Sequence, residues 1–497
     1  RAGHRCACGL ASAEGCGPVR SPAGEAWRPR SPAKVRNTET LAVSPRKSPA
    51  GLDANTDDAV RHRTDRHIQD IPRHVPTCRW YDPCRHREAF ARVVRRDRSC
   101  GRCWGGSGGG GNAGCIGCVC VDNSKGSGIT SPSNGQPQGD TFDIDYVAHE
   151  LGHQMGANHT FSHTTESAGV NAEPGSGSTI MGYAGITNSN VQQNSDGYFH
   201  YHSIKQITDN VIVRNCWENN SPVTLSNNPP VSDAGLDHVI PIGTAYVLKG
   251  SATDADGADN LMYCWEQNDD GVVTVSSFGP TLSSGAMARS LPPTTSSDRY
   301  IPKLSRVVAG QLTETNPTDG GGSDWETVST VARDLNWALT VRDREPTATG
   351  LYGQSSFDLM KITVDASAGP FVVTSQTTNV TWNAGSSKTI TWDVAGTDSG
   401  NVNTTKVNIL LSKDGGLTFP ITLASDVDND GSHSFIVPVT NGADSNLARI
   451  IVEGKDNVFY AMNSSNFSIQ ESEFAMAVSN PEVDVCSPDD AVYNFTY

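Results

Sequence analysis

Beyond residue 230 the chain alternates short apolar runs with polar, turn-forming stretches, and the runs are strand-length rather than helix-length. They are Ala245 to Leu248, Leu261 to Trp265, Trp337 to Val341, Leu359 to Val364, Phe371 to Thr374, Lys388 to Val394, Lys406 to Leu411 and Ala448 to Val452. Gly, Asn, Asp and Ser separate them, the punctuation expected of tight turns. This spacing predicts antiparallel β-sandwiches. Lys413-Asp414-Gly415-Gly416, set between two apolar runs, predicts a hairpin turn. Upstream the pattern differs. Ile204 to Val213 reads as a helix, whereas residues 1 to 110 sustain neither a strand nor a helix period and hold only three leucines and two isoleucines.

Between these regions one stretch carries chemistry: His149-Glu150-Leu151-Gly152-His153-Gln154-Met155-Gly156-Ala157-Asn158-His159. On an α-helix, His149 and His153 lie about one turn apart on a single face, so both rings can reach one metal ion. Gly156, lacking a Cβ, can adopt the left-handed conformation that ends the helix, and the loop beyond then delivers His159 as a third ligand. Three protein ligands on a tetrahedral zinc leave one corner for water, which marks a catalytic rather than a structural site. Glu150 completes the chemistry as general base. Zinc lowers the pKa of bound water from about 15.7 to roughly 7, and the protonated carboxyl can later pass its proton to the leaving amine. The bland alternative, a helix with surface histidines, accounts poorly for the added glycine and third histidine.

This pattern, HExxHxxGxxH, resembles that of the metzincin clan of zinc endopeptidases at every specified position. Ser178-Thr179-Ile180-Met181-Gly182-Tyr183 is similar to the clan's Met-turn, which implies that Met181 forms an apolar floor under the ligands. Thr160 departs from the familiar subfamilies, standing where reprolysins carry aspartate and astacins glutamate. The nearest resemblance is to secreted, reprolysin-like bacterial peptidases with β-sandwich modules behind the catalytic domain. Tyr183 matches the place of a tyrosine that reaches the zinc or the oxyanion in astacins and serralysins; the other reading is a phenol packed under the turn. Ala113 to Val121 is similar to the edge strand that accepts an extended peptide. Cys120 and Cys216 resemble a reprolysin disulfide tying that strand to the following helix; the other reading is two buried thiols.

Charge sharpens the contrast between the two ends. The net charge is −16, yet 19 of the 27 arginines lie in residues 1 to 110, which carry about +10. So few aliphatic side chains cannot build a core, although a metzincin would place half of its catalytic domain there. Residues 1–104 are therefore read either as a disordered basic arm or as out-of-frame translation, the second being preferred. Basic charge alone gives only nonspecific affinity for nucleic acid, so none is expected as a partner. Cys100-x-x-Cys103 and Cys115-x-x-Cys118 have zinc-ribbon spacing, but the glycine-rich segment between them is a poor hairpin and that reading is set aside. No apolar run is long enough to span a membrane. The chain opens on Arg1 and is read as a fragment, with no export signal of its own.

The expected fold is multidomain: an α+β metzincin core over 105–218, its N-terminal half doubtful, followed by all-β immunoglobulin-like sandwiches. A linker spans 219–229. A module over 230–367 resembles the polycystic-kidney-disease type, with Asp233-Ala234-Gly235, Asp254-Ala255-Asp256-Gly257, Tyr263-Cys264-Trp265 and a long insertion after Gln267. A second sandwich covers 369–470, and 471–497 begins a further module. Asp426, Asp428, Asp430 and Gly431 open like a calcium loop, but Val437 replaces the final glutamate and a solvated turn is the simpler account. Asp254, Asp256 and Asp259 are a second candidate for calcium or, equally, turn formers. The resulting expectation is a secreted zinc endopeptidase acting on protein or peptide substrates, with sandwiches that engage an extracellular surface or polysaccharide. The alternative is an adhesive or polysaccharide-binding sandwich protein whose peptidase domain is incomplete and inactive.

Overall fold

The computed structural model describes residues 110–131, 137–214, 227–256, 261–343, 353–439 and 444–471, together with the short strands Ala477–Val478 and Phe495–Thr496. The readings made for residues 1–104, Cys100, Cys103, Cys216 and Asp259 fall outside these residues, as does most of the linker 219–229.

The histidine motif lies on an unbroken helical segment, 140–155, designated α1. Its turns are Asp140–Phe142, a π-helical stretch Asp143–Ala148, and His149–Met155. Gly156 stops it with φ of 124°, a conformation that costs residues with a Cβ. A second helix, α2, spans Tyr201–Arg214 and includes the predicted Ile204 to Val213. It lies against the end of α1, where Asn210 Nδ2 donates to Met155 O at 2.8 Å and Gln206 Oε1 accepts from Asn158 N–H at 2.8 Å.

The edge strand differs from expectation. Strand β1 is Gly110–Asn112, paired antiparallel with β2, Ile129–Ser131. Residues 113–121 instead turn, because Gly114, Gly117 and Cys120 all have positive φ, which no strand accommodates. A Cys115–Cys118 disulfide staples this turn, so these two cysteines do not serve as zinc-ribbon thiolates. Cys120 is also disulfide-bonded. The turn docks on the end of α1: Gly117 N–H donates to His153 O at 2.8 Å and Val119 N–H to Gln154 O at 2.9 Å. The Gln154 carbonyl near the helix end thereby gains a donor, and that of His153, which already accepts from the Gly156 N–H at 3.0 Å, gains a second.

The strands beyond residue 230 build immunoglobulin-like sandwiches. Every predicted run lies within or overlaps a strand: β5 (Ala245–Lys249), β7 (Met262–Gln267), β9 (Arg333–Arg342), β10 (Ser355–Asp365), β11 (Val372–Val373), β13 (Ser387–Asp393), β14 (Lys406–Ser412) and β17 (Ser445–Gly454). One sheet runs β4 (His238–Pro241), β10, β9, β7. A larger one joins β17 to β18 (Phe459–Met462), β18 to β5, and β5 to β8 (Asp298–Ile301). The β5–β18 pairing makes the two predicted sandwiches share a sheet. One apolar core, including Trp265, Trp337, Trp382, Trp392, Phe459 and Phe467, runs through both. The turn at Lys413–Gly416 joins β14 to β15 (Ile421–Asp428), with Leu411 opposite Ile421, so the loop is wider than a two-residue hairpin.

Among the described residues, the acidic side chains of both loops are engaged by the protein's own groups. Asp428 pairs with Lys406 at 2.8 Å and Asp426 with Lys455 at 3.2 Å, while Val437 is buried. Asp256 accepts from Asn228, and Asp254 from the Asp256 N–H, as in a turn.

Candidate metal centre

The geometry of α1 and its following loop brings the three predicted histidines together. Nε2 of His159 lies 3.1 Å from Nε2 of His149 and 2.9 Å from Nε2 of His153. Each ring is fixed from behind through Nδ1: His149 to Ile180 O at 2.7 Å, His153 to Ala157 O at 2.8 Å, and His159 to Glu166 Oε2 at 2.8 Å. A carbonyl oxygen can only accept, so Nδ1 of His149 and His153 must carry the hydrogen and the Nε2 atoms present lone pairs. Burial, followed by the neighbouring histidines, pushes the pKa of His149 down to about 3. Burial does the same for His159, and it lowers that of His153 as well. Three neutral rings with converging lone pairs repel one another unless a cation lies between them. The donor set fits zinc, for which three imidazoles are a common catalytic shell.

Glu150 stands beside the first histidine, half-buried. Burial raises its carboxyl to about 7, and a hydrogen bond from the Ala113 backbone opposes part of that rise. Strand β1 crosses close over it: a Cβ on Gly111 would lie 1.9 Å from Glu150 Oε1. A side chain at this position would have to displace the carboxylate from where it lies. Gln154 Nε2, donating to Ala113 O at 2.9 Å, pins the end of β1 to the helix.

Met181 is fully buried, in a cluster with Ala148, Ala157 and Ile180. Its sulfur fills the space that a side chain at Gly152 would need, since a Cβ there would lie 2.5 Å from Met181 Sδ. The turn also touches the histidine cluster through its backbone, Ile180 O orienting His149 and Met181 O accepting from the N–H of Thr160, the residue after His159, at 3.2 Å. The Tyr183 ring centroid lies 4.4 Å from that of His159 and 5.6 Å from that of His149. Burial first, then the charges of Glu166 and Glu150, pushes its phenol up to about 12, so it remains an O–H donor at neutral pH.

Two carboxylates escaped sequence reasoning. Glu166 orients the His159 ring. Glu173, fully buried, accepts from Thr160 Oγ1 at 2.6 Å, Thr179 Oγ1 at 2.5 Å, Ser178 N–H at 2.9 Å and Thr179 N–H at 3.1 Å. It joins the residue after His159 to the Met-turn. The carboxylate that Thr160 lacks is thus supplied from elsewhere in the chain. No spacing rule announces either residue, because both act across irregular loops.

Residues 101–212 match the family described as metallo-peptidase family M12B, reprolysin-like. Residues 375–469 match the Kre9/KNH-like N-terminal Ig-like domain. Among solved structures, tandem Ig repeats of Dlar align at 11% identity over 49% of this chain and 99% of that one, with a TM-score of 0.25. Fibronectin(III)-like modules of CbhA from Clostridium thermocellum align at 11% identity over 49% and 93%, with a TM-score of 0.15. No curated protein matches the chain. The chain therefore pairs a reprolysin-like metallopeptidase region with immunoglobulin-like modules.

Proposed function

We propose that this chain, with its reprolysin-like region and immunoglobulin-like modules, is a secreted zinc endopeptidase. The observation that carries the proposal is the convergence of three neutral imidazole nitrogens beside a half-buried carboxylate. His149, His153 and His159 would hold the metal, with Ile180, Ala157 and Glu166 fixing their tautomers and ring orientations. Zinc, when bound, would supply Lewis acidity and lower the pKa of water toward neutrality.

The remaining steps belong to the protein's own groups. Glu150, its carboxyl raised toward neutrality, is matched to taking a proton from water and returning it to the leaving amine. Among the described residues β1 pairs only with β2, and its free edge suits an extended peptide bound by strand addition. Tyr183 would donate its O–H to the substrate oxygen as negative charge develops there. The Cys115–Cys118 disulfide and the oxidised Cys120, for which Cys216 is the proposed partner, support an exported protein. Among the described residues no helix is long and apolar enough to cross a membrane. We assign the sandwiches a role in engaging substrate or an extracellular surface.

The test is metal content alongside peptide hydrolysis. Glu150→Gln should keep zinc and lose several orders of magnitude in turnover, whereas His159→Ala should lose zinc. Substantial turnover in Glu150→Gln would refute the mechanism. A protein with all three histidines that takes up no zinc would refute the site.

A further inference from the structure

Strand β7 ends at Gln267 and β9 begins at Arg333; between them the chain pairs with β7 only at one bridge, Thr294 opposite Tyr263, and lends β8 to the larger sheet. The intervening insertion does not hang from the sandwich as a loop. It packs into the segment that follows the third histidine. Val273, fully buried, donates its N–H to Ser162 O at 2.8 Å, and its carbonyl accepts from Gly175 N–H at 2.9 Å. Gly271 N–H donates to Asn171 O at 3.2 Å, and Asp270 Oδ1 accepts from Asn171 N–H at 2.8 Å. Ser290 O accepts from Ser178 Oγ, at the entrance to the Met-turn, at 3.1 Å. Trp325, fully buried, packs with Val191, Val273 and Phe278. Its ring lies so close over Gly175 that a Cβ there would stand 2.9 Å away.

Residues 160–178 have almost no regular structure of their own, only a single bridge between Phe161 and Glu173. Without the insertion, buried groups at Ser162, Asn171 and Gly175 would lose their hydrogen-bond partners, which the interior cannot replace with water. Yet this loop carries Thr160, next to the third ligand, and Glu173, which holds the Met-turn. Its conformation is therefore completed from outside the reprolysin-like region.

We propose that the insertion 268–332 is a positioning element of the metal centre, so that the reprolysin-like region and the first sandwich form one catalytic unit. The chemical consequence rests on the metallopeptidase reading; the structural dependence does not. The experiment uses the full chain and two variants, Trp325→Ala and Asp270→Ala. The second removes an exposed acceptor and tests the idea should the first fail to fold. Two quantities are read: the rate of zinc release to a chelator, and hydrogen exchange of residues 160–181 in the metal-free protein.

Both variants should release zinc about tenfold faster or more. Both should also exchange faster across 160–181, while β13 and β14 keep wild-type protection. Wild-type release and wild-type exchange in both variants would overturn the proposal. Should the unaltered protein hold no zinc, the metallopeptidase reading falls, and the exchange measurement still decides whether the insertion orders the loop.

Discussion

Replacing Glu173 by glutamine is the most informative single change at the site. The carboxylate receives two hydroxyls at Oε1, from Thr160 and Thr179, and two backbone N–H groups at Oε2, from Ser178 and Thr179. Glutamine has the same shape but one oxygen. Its NH2 cannot face the two backbone donors, so it must face the threonine hydroxyls, which then have to turn and accept. Hydrogen bonds to a charged group contribute about 1.5 to 3 kcal/mol, neutral ones about 0.5 to 1.5. Four bonds each weakened by about 1 kcal/mol give a local loss on the order of 4 kcal/mol. Native-state hydrogen exchange of residues 173–181 reads that loss as a drop in opening free energy. Zinc affinity should fall with it, because Thr160 adjoins the third ligand. An opening free energy within about 0.5 kcal/mol of wild type would refute the claim that this carboxylate organises the Met-turn.

Gly111→Ala should lower turnover without unfolding the protein, because the new Cβ displaces the flexible end of Glu150; unchanged turnover, with Glu150 in place in a structure of the variant, would count against the crossing of β1 over the base. Tyr183→Phe should reduce kcat with little change in KM, and identical kinetics would leave the ring a packing group. Glu266, buried where β7 meets the first turn of α2, accepts from Tyr201 N–H at 2.9 Å, and desolvation raises its carboxyl above the usual range. Between its unfolded and folded pKa the folded protein keeps a proton that the unfolded chain has released, so this contribution to stability is present in acid and lost as pH rises through the folded value. Glu266→Gln removes that titration. The variant should gain on wild type in thermal unfolding from pH 4 to pH 8, and a constant gap would exclude Glu266 as the cause.

How far the site could be read in advance follows from how local each signal is. The candidate ligands His149 and His153 declare themselves because a helix turn maps sequence spacing onto space, and Gly156 and His159 extend that logic by a few residues. Glu166 and Glu173 do not, because they reach the site through loops without a period. The mistaken strand at Ala113 to Val121 has an apolar pattern, but Gly114, Gly117 and Cys120 turn it with positive φ. The apolar runs beyond 230 located β5, β7, β9, β10, β13, β14 and β17, but they missed β18, a buried four-residue strand between β17 and β5. They also missed β15, Ile421–Asp428, whose core-facing Ile421, Leu423, Ala424 and Val427 are only partly buried and whose alternation is broken by a register shift. The insertion after Gln267 was legible as an insertion, but its place against the histidine loop depends on single buried residues such as Val273 and Trp325, which look like any core.

The pairing of β5 with β18, Phe459 opposite Tyr246 and Tyr460 opposite Ala245, turns what reads as a string of beads into modules joined by a common sheet and core. A flexible tether lets an enzyme search a volume around its anchor, whereas a rigid one fixes both reach and heading. If, as proposed, the second sandwich engages substrate, that substrate would be held at a set distance and angle from the histidine cluster. Bonds within that reach would meet a high effective concentration of enzyme, and bonds beyond it would meet almost none.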